Sequence, residues 1–107
     1  MNKFMRIVIF FDLPTKTKAE VKAASKFRTF LKKDGYYMMQ WSVYSRICNG
    51  TDAVEMHKKR LKANLPPKGS IRALTLTEKQ FESIDIILGT KDMINKGICE
   101  TESINVF

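Results

Sequence analysis

Residues 7–12 of this chain read IVIFFD, a short apolar run that ends in a carboxylate and decides how the flanking segments fold. Its consecutive β-branched and aromatic residues predict a central strand buried on both faces. Pro14, two residues beyond Asp12, cannot continue a strand ladder. The run is also too short for the core of a signal peptide or for a membrane span. We therefore expect a soluble, cytoplasmic protein without a membrane partner.

An amphipathic helix is predicted directly after this strand. Thr17 and Glu20 have the spacing of a capping box, and Gly35 suits the residue that ends the helix. On a helical wheel of about 100° per residue, apolar side chains gather on one side and basic side chains on the other. The basic side carries Lys18, Lys22, Lys26, Arg28, Lys32 and Lys33. Together with Lys16, just before the helix, these residues are the candidates for DNA binding and are called the lysine face below.

The rest of the chain alternates between strand-like and helix-like segments. The predicted elements are a hairpin at 36–48 turning near 40–42, a helix at 53–64, a strand at 71–77, one capped helical turn at 77–80, and apolar strands at 84–88 and 104–107. Thr51 or Asp52 is expected to cap the second helix, after a turn at Asn49-Gly50.

This order of elements predicts the fold class. Strand, helix, strand, strand, helix, strand is the ferredoxin-like βαββαβ pattern of an α+β protein, with an antiparallel sheet and its helices on one face. At 107 residues the chain is expected to be a single domain, 1–107, in which 89–107 form a C-terminal extension ending in a strand. Because this fold hosts metal binders, RNA binders, enzymes and regulators, function has to be argued from particular residues.

The charge of the chain favours a polyanionic partner. Nineteen Lys and Arg against eleven Asp and Glu leave a net charge of +8, which favours nucleic acid or an anionic surface. The alternative is that the basic residues only keep the protein soluble. Their concentration on the lysine face favours binding, and phosphate contacts of this kind position a duplex without reading its sequence.

Asp12 is the candidate for chemistry. A carboxylate at the end of a buried strand can bind Mg²⁺ through one or two oxygens and leave the other positions to water and phosphate. Such a metal can assist phosphodiester cleavage. The structural alternative is that Asp12 accepts hydrogen bonds from the turn that follows it. One carboxylate makes a poor metal site, whereas a two-fold dimer with two opposed copies of Asp12 would make a better one.

Other polar and aromatic residues leave their roles open. His57 stands among basic residues without a carboxylate or nucleophile to pair with, so we expect it at the surface. Trp41 and the tyrosines around it could stack on the bases of a single strand. A core or a dimer interface explains such an aromatic cluster more simply. Cys48 and Cys99 have neither zinc-ligand nor disulfide spacing.

Several segments together carry a family resemblance. They are FFDLP at 10–14, KFRTFL at 26–31, Gly35-Tyr36, QWSVYS at 40–45 and TEKQF at 77–81. In combination they resemble the CRISPR-associated Cas2 family, in particular the short form found in Cas9-type loci. The resemblance covers nearly the whole chain. Phe11 departs from a common form of the family motif, in which a Tyr precedes the aspartate.

The resemblance implies a ferredoxin-like homodimer that bridges dimers of the Cas1 integrase. The dimer would hold a short double-stranded DNA before its insertion as a spacer. Family members are also described as metal-dependent endonucleases of RNA or DNA. Asp12 is then the implied catalytic residue and Mg²⁺ ligand, with one ion shared across the dimer. Arg28 matches the helical arginine of related sequences, and the segment after Gly89 is the expected contact with the integrase.

Overall fold

The computed structural model describes residues 3–89, which form a four-stranded antiparallel sheet covered on one face by two helices. The elements are β1 Phe4–Asp12, α1 Lys18–Lys33, β2 Tyr37–Gln40, β3 Val43–Asn49, α2 Thr51–Lys62, β4 Ser70–Thr77 and the short α3 Glu78–Glu82. The strand order is β2-β3-β1-β4, so the IVIFFD run lies in an inner strand. The predicted α+β, ferredoxin-like order of strands and helices is confirmed.

The alternation of side chains along β1 divides the sheet into two faces. Ile7, Ile9 and Phe11 point toward the helices, and the ring of Phe11 contacts those of Phe27 and Tyr44 at centroid distances of 5.3 and 5.7 Å. The buried core on this side comprises Ile7, Ile9, Phe11, Phe27, Leu31, Tyr36, Tyr44, Cys48, Val54 and Leu61. Each large apolar side chain buried here contributes about 1.5–3 kcal/mol. The opposite side of the sheet, to which the even-numbered residues of β1 belong, is called the open face below.

Helix α1 begins and ends as predicted. The Thr17 hydroxyl accepts a hydrogen bond from the Glu20 amide at 3.1 Å, and the Glu20 carboxylate accepts one from the Thr17 amide at 3.2 Å. This capping box satisfies backbone donors that the first turn leaves unpaired. Gly35 follows the helix with φ of +90°, a conformation that favours glycine.

The hairpin and the short helix after β4 are also confirmed. Strands β2 and β3 pair in antiparallel fashion, with the turn at Trp41-Ser42. In α3 the Thr77 hydroxyl accepts a hydrogen bond from the Gln80 amide at 3.1 Å, and the Gln80 side chain accepts one from the Thr77 amide at 2.9 Å. Both features follow from sequence patterns only a few residues long.

The predicted cap of the second helix is wrong. Helix α2 starts at Thr51, and its N-cap is Gly50, which has φ of +95° and provides no side-chain hydrogen bond. The chain turns directly out of β3 at this glycine. Thr51 and Asp52 therefore fall within the first turn of the helix rather than at its cap.

The predicted strand at 84–88 is also wrong. Residues 84–88 form no strand. The Ile84 amide instead donates a hydrogen bond to the carbonyl of Phe81 in α3, at 3.2 Å. An apolar run becomes a strand only where a neighbouring strand can pair with it, and within residues 3–89 no strand pairs with 84–88. The expected extension from residue 90 onward, with its strand at 104–107, lies outside the described residues. Within the described part of the chain, the helices are too short and too polar to cross a bilayer.

Candidate functional site

The lysine face lies on the outer side of α1. Ala24, Phe27 and Leu31 are buried against the sheet, which turns the opposite side of the helix to solvent. The lysines exposed there and in the preceding loop are Lys16, Lys18, Lys22, Lys26, Lys32 and Lys33. Over residues 3–89, none of these six ammonium groups forms an ion pair with a carboxylate. Their charge is therefore available to an anion from solution.

Arg28 has a different environment from the lysines. It is half-buried, and its guanidinium lies over the Trp41 ring at 3.8 Å and the Phe11 ring at 5.0 Å from the centroids. It donates hydrogen bonds to the Trp41 carbonyl and, at 3.3 Å, to the Ser42 hydroxyl. Arg28 thus fastens the β2–β3 turn to α1, and its assignment to DNA binding stays a prediction.

Asp12 is exposed at the end of β1, and its side chain projects from the open face. In the part of the chain that the structure describes, the Asp12 carboxylate has no hydrogen-bond or ion-pair partner, so the turn that follows does not occupy it. Since α1 covers the other face of the sheet, the structure places Asp12 and the lysines of α1 on opposite sides of one protomer.

The donor set around Asp12 supports a metal site only in part. Across residues 3–89, no group of three or more His, Cys, Asp or Glu side chains is placed to hold a metal ion. A carboxylate is a suitable ligand for Mg²⁺, which keeps several waters and takes one or two carboxylates from a protein. One protomer supplies one such carboxylate, and the second Asp12 expected from a dimer stays a prediction.

The path of the chain beside Asp12 depends on Gly69, a role that the sequence alone does not indicate. Gly69 has φ of +115° and packs so closely that an added Cβ would lie 2.6 Å from a Leu13 methyl carbon and 2.8 Å from the Asp12 carbonyl oxygen. The α2–β4 loop thus contacts the end of β1. The Pro66-Pro67-Lys68-Gly69 sequence signals a loop but not this contact.

The surface position expected for His57 is wrong. His57 is buried, with Nδ1 2.9 Å from one oxygen of Asp34, while Arg60 Nε lies 2.7 Å from the other oxygen. The Asp34 side chain is only 3% exposed. The partner carboxylate comes from the end of α1, 23 residues before the histidine. No pattern along the sequence indicates this pairing, which joins α1 to α2.

A second unpredicted cluster lies on the open face around Arg6. Its Nε and Nη2 atoms donate to the two carboxylate oxygens of Glu78 at 2.6 and 3.1 Å, and it also donates to the Tyr37 hydroxyl. The guanidinium lies 4.3 Å from the centroid of the Phe81 ring. Arg6 thereby holds α3 against the sheet.

Large apolar side chains surround this cluster on the open face. Strand register places Phe4, Phe10, Ile47 and Leu74 on the same side of the sheet as Arg6. Their exposed fractions run from 39% for Phe10 to 49% for Leu74. Several large apolar side chains exposed on one face of a sheet are typical of a protein–protein interface.

Comparisons with known proteins show the family to which the chain is related. Residues 5–84 match the family model described as CRISPR associated protein Cas2. A protein of Acidovorax ebreus named CRISPR-associated endoribonuclease Cas2 is 56% identical over 85 residues, covering 79% of this chain and 83% of the relative.

Two further relatives bear the same name. The one from Campylobacter jejuni is 47% identical over 104 residues, covering 97% of this chain and 68% of the relative. The one from Streptococcus mutans is 46% identical over 88 residues, covering 82% and 81%. With a family model that matches most of the chain and with relatives of this similarity, the chain belongs to the CRISPR-associated protein Cas2 family.

Proposed function

We propose that this protein is a dimeric scaffold that binds double-stranded DNA in CRISPR adaptation and bridges dimers of the Cas1 integrase during spacer acquisition. The observation that carries the proposal is the lysine face, whose six ammonium groups are exposed and unpaired within residues 3–89. A row of phosphates is a partner of opposite charge that such a surface can follow without reading bases. This function belongs in the cytoplasm, where the DNA of a bacterial cell lies.

The open face supports the dimer in this proposal. A second copy that packs on Phe10, Ile47 and Leu74 would bury apolar surface that one protomer leaves in water. A two-fold axis places the same patch of both copies in contact. It would also double the lysine face and bring two Asp12 side chains to the same interface. The contact with the integrase is proposed for the segment after Gly89, which lies outside the described residues.

Charge reversal tests the DNA-binding part of the proposal. Lys22→Glu/Lys26→Glu should weaken binding to a blunt duplex about tenfold or more and flatten the salt dependence, because each phosphate contact contributes about −0.9 to the log–log slope. Fluorescence anisotropy of a labelled duplex at several salt concentrations measures both quantities. Lys59→Glu/Lys79→Glu is the matched control, because it changes the net charge equally at exposed lysines outside the lysine face. Equal losses in the two variants would refute the assigned surface.

A second candidate function is a Mg²⁺-dependent endonuclease, an activity that the name of the relatives favours for this chain as well. The specific observation is that the Asp12 carboxylate is exposed on the open face and unpaired within residues 3–89. Asp12 from both protomers would hold the ion. An Mg²⁺ ion held there would supply positive charge against the phosphate and would assist deprotonation of the attacking water. The role of Asp12 is to hold the ion at the dimer interface, and the substrate is RNA or DNA.

Replacing Asp12 separates the two functions. Asp12→Asn keeps the size of the side chain and removes its charge, so we expect cleavage of labelled RNA and DNA to fall to background while duplex affinity is retained. Chelation by EDTA should have the same effect on the wild type. Asp85→Asn is the matched control, since Asp85 is also an exposed carboxylate but lies outside the sheet. Cleavage that persists in Asp12→Asn and resists EDTA would eliminate Asp12 as the catalytic metal ligand.

A further inference from the structure

Trp41 stands apart from the other aromatic side chains of the hairpin. Tyr36 and Tyr44 are buried, and the Tyr37 hydroxyl accepts a hydrogen bond from Arg6, so these three rings are used within the fold. Trp41 is 70% exposed at the β2–β3 turn. Within this aromatic cluster, Trp41 has the one ring that is largely exposed.

Contacts with Arg28 hold the exposed Trp41 ring in place. The Arg28 guanidinium lies 3.8 Å from the Trp41 ring centroid, and Arg28 also donates to the Trp41 carbonyl and the Ser42 hydroxyl. The Ser42 carbonyl in turn accepts a hydrogen bond from the Phe11 amide at 3.1 Å, which fixes the turn to β1. Because Arg28 covers one side of the ring and the residue stays largely exposed, the opposite side faces solvent. A ring already held in this way loses little freedom when it binds a ligand.

The position of the Trp41 ring beside the lysine face indicates a ligand with both an aromatic group and negative charges. Arg28 lies at the margin of the lysine face, and the exposed Lys32 follows it by about one helical turn. Aromatic side chains beside a cationic surface are how proteins bind single-stranded nucleic acids, since each base stacks on a ring while the phosphates contact the cations. A base pair inside a duplex has both of its surfaces covered by its neighbours, so it cannot use the ring.

We propose that Trp41 is a stacking site for an unpaired nucleobase of single-stranded DNA or RNA, whose phosphates continue onto the lysine face at Lys32. This inference rests on the proposed function only for those phosphate contacts. It adds a second mode of binding that the duplex scaffold does not require. Asp12 and any metal ion play no part in it.

The chain contains a single tryptophan, so its intrinsic fluorescence reports on Trp41 alone. The test is to follow this emission while the full-length protein is titrated with oligo(dT), oligo(rU) and a blunt duplex of equal length. We expect both single strands to quench the emission and the duplex to leave it nearly unchanged. The dT and rU arms show whether the site takes DNA, RNA or both. Emission that responds equally to the duplex, or to neither single strand, would overturn the inference.

Two substitutions complete the test by anisotropy of labelled strands. Trp41→Ala should weaken single-strand binding between about 5-fold and 150-fold and leave duplex affinity within about twofold. Trp41→Phe keeps a ring and should retain most of the single-strand affinity, and circular dichroism verifies that both variants fold. Equal weakening of duplex and single-strand binding by Trp41→Ala would reject the site. So would emission that depends on protein concentration and not on nucleic acid, because Trp41 would then lie in a protein interface.

The inference and the proposed function can fail separately. If the wild type does not bind the blunt duplex but oligo(dT) still quenches Trp41, the scaffold is refuted and the stacking site is supported. If the duplex binds through the lysine face while Trp41→Ala leaves single-strand affinity unchanged, the stacking site alone is refuted.

Discussion

At the scale of single residues, the Asp34 carboxylate joins the two long helices. It accepts from His57 of α2 at 2.9 Å and pairs with Arg60 at 2.7 Å, while its own backbone carbonyl accepts from Arg46. A buried carboxylate is tolerated because both oxygens have partners. Tyr36 lies beside this cluster, and its buried hydroxyl makes no hydrogen bond with the residues that the structure describes.

Tyr36 makes stability depend on alkaline pH. Burial, followed by the negative charge of Asp34, raises the pKa of Tyr36 well above its ordinary value. The folded protein therefore keeps the phenol proton where the unfolded chain loses it. The free energy of unfolding is unaffected by Tyr36 below about pH 10 and falls as pH rises beyond it, by up to about 1.4 kcal/mol per pH unit.

Tyr36→Phe should remove this dependence. The variant should match or exceed the wild-type stability at pH 7 by up to about 1 kcal/mol, because it removes an unsatisfied buried hydroxyl. Urea unfolding at pH 7, 9.5 and 11 measures the difference. Burial also raises the pKa of Cys48, so part of the alkaline loss remains in the variant. An identical loss between pH 9.5 and 11 in both proteins would contradict the role of Tyr36.

At the scale of elements, α1 and α3 show two ways of attaching a helix to the sheet. Helix α1 buries an apolar stripe that includes Phe27 and Leu31, and this packing leaves its basic side free. Helix α3 has only five residues and buries Phe81. A helix this short has little stability of its own. The Arg6–Glu78 contact adds attachment to the sheet that the small apolar surface of α3 cannot provide alone.

Removing the charge of Glu78 should therefore loosen α3. Glu78→Gln leaves the half-buried Arg6 without its charged partner, and we expect the free energy of unfolding to fall by about 1–3 kcal/mol. Hydrogen exchange should show the loss of protection first in α3. Glu82→Gln, an exposed change in the same helix, is the control and should stay within about 0.5 kcal/mol of the wild type. Equal stability of the two variants would show that Arg6 does not hold α3.

At the scale of the whole molecule, the two sides of the sheet carry different surfaces. On the helix-covered side, the outer surface of α1 is the lysine face. The open face presents apolar side chains together with Asp12. The proposed two-fold contact buries the open face and leaves the lysine face in water. DNA binding and dimerisation then use opposite sides of each protomer.

A charge placed on the open face should prevent the dimer. Leu74→Glu should convert the protein to a monomer in light scattering at micromolar concentration, because a carboxylate would have to be desolvated in the contact. Duplex affinity should fall as well, since a monomer has half of the phosphate contacts. Leu65→Glu is the matched control, because Leu65 is similarly exposed but lies in the α2–β4 loop. A dimeric Leu74→Glu protein would rule out the open face as the interface.

The sequence by itself determined the features that depend on neighbours along the chain. The capping boxes at Thr17 and Thr77 use partners three residues away, and the lysine face follows from the helical period. The alternation of strands and helices gave the fold class for the same reason. The family resemblance, confirmed by comparison, also rested on short contiguous segments such as 10–14 and 40–45.

The tertiary structure alone decided the contacts between residues far apart in sequence. Arg6 and Glu78 are separated by 72 residues, and Asp34 and His57 by 23. The lack of a strand at 84–88 has the same origin, since strand formation depends on a neighbouring edge and not on apolar composition. The contact of Trp41 with Arg28 likewise joins a turn to a helix, across 13 residues of sequence. These outcomes depend on which elements the folded sheet brings together, which local patterns do not encode.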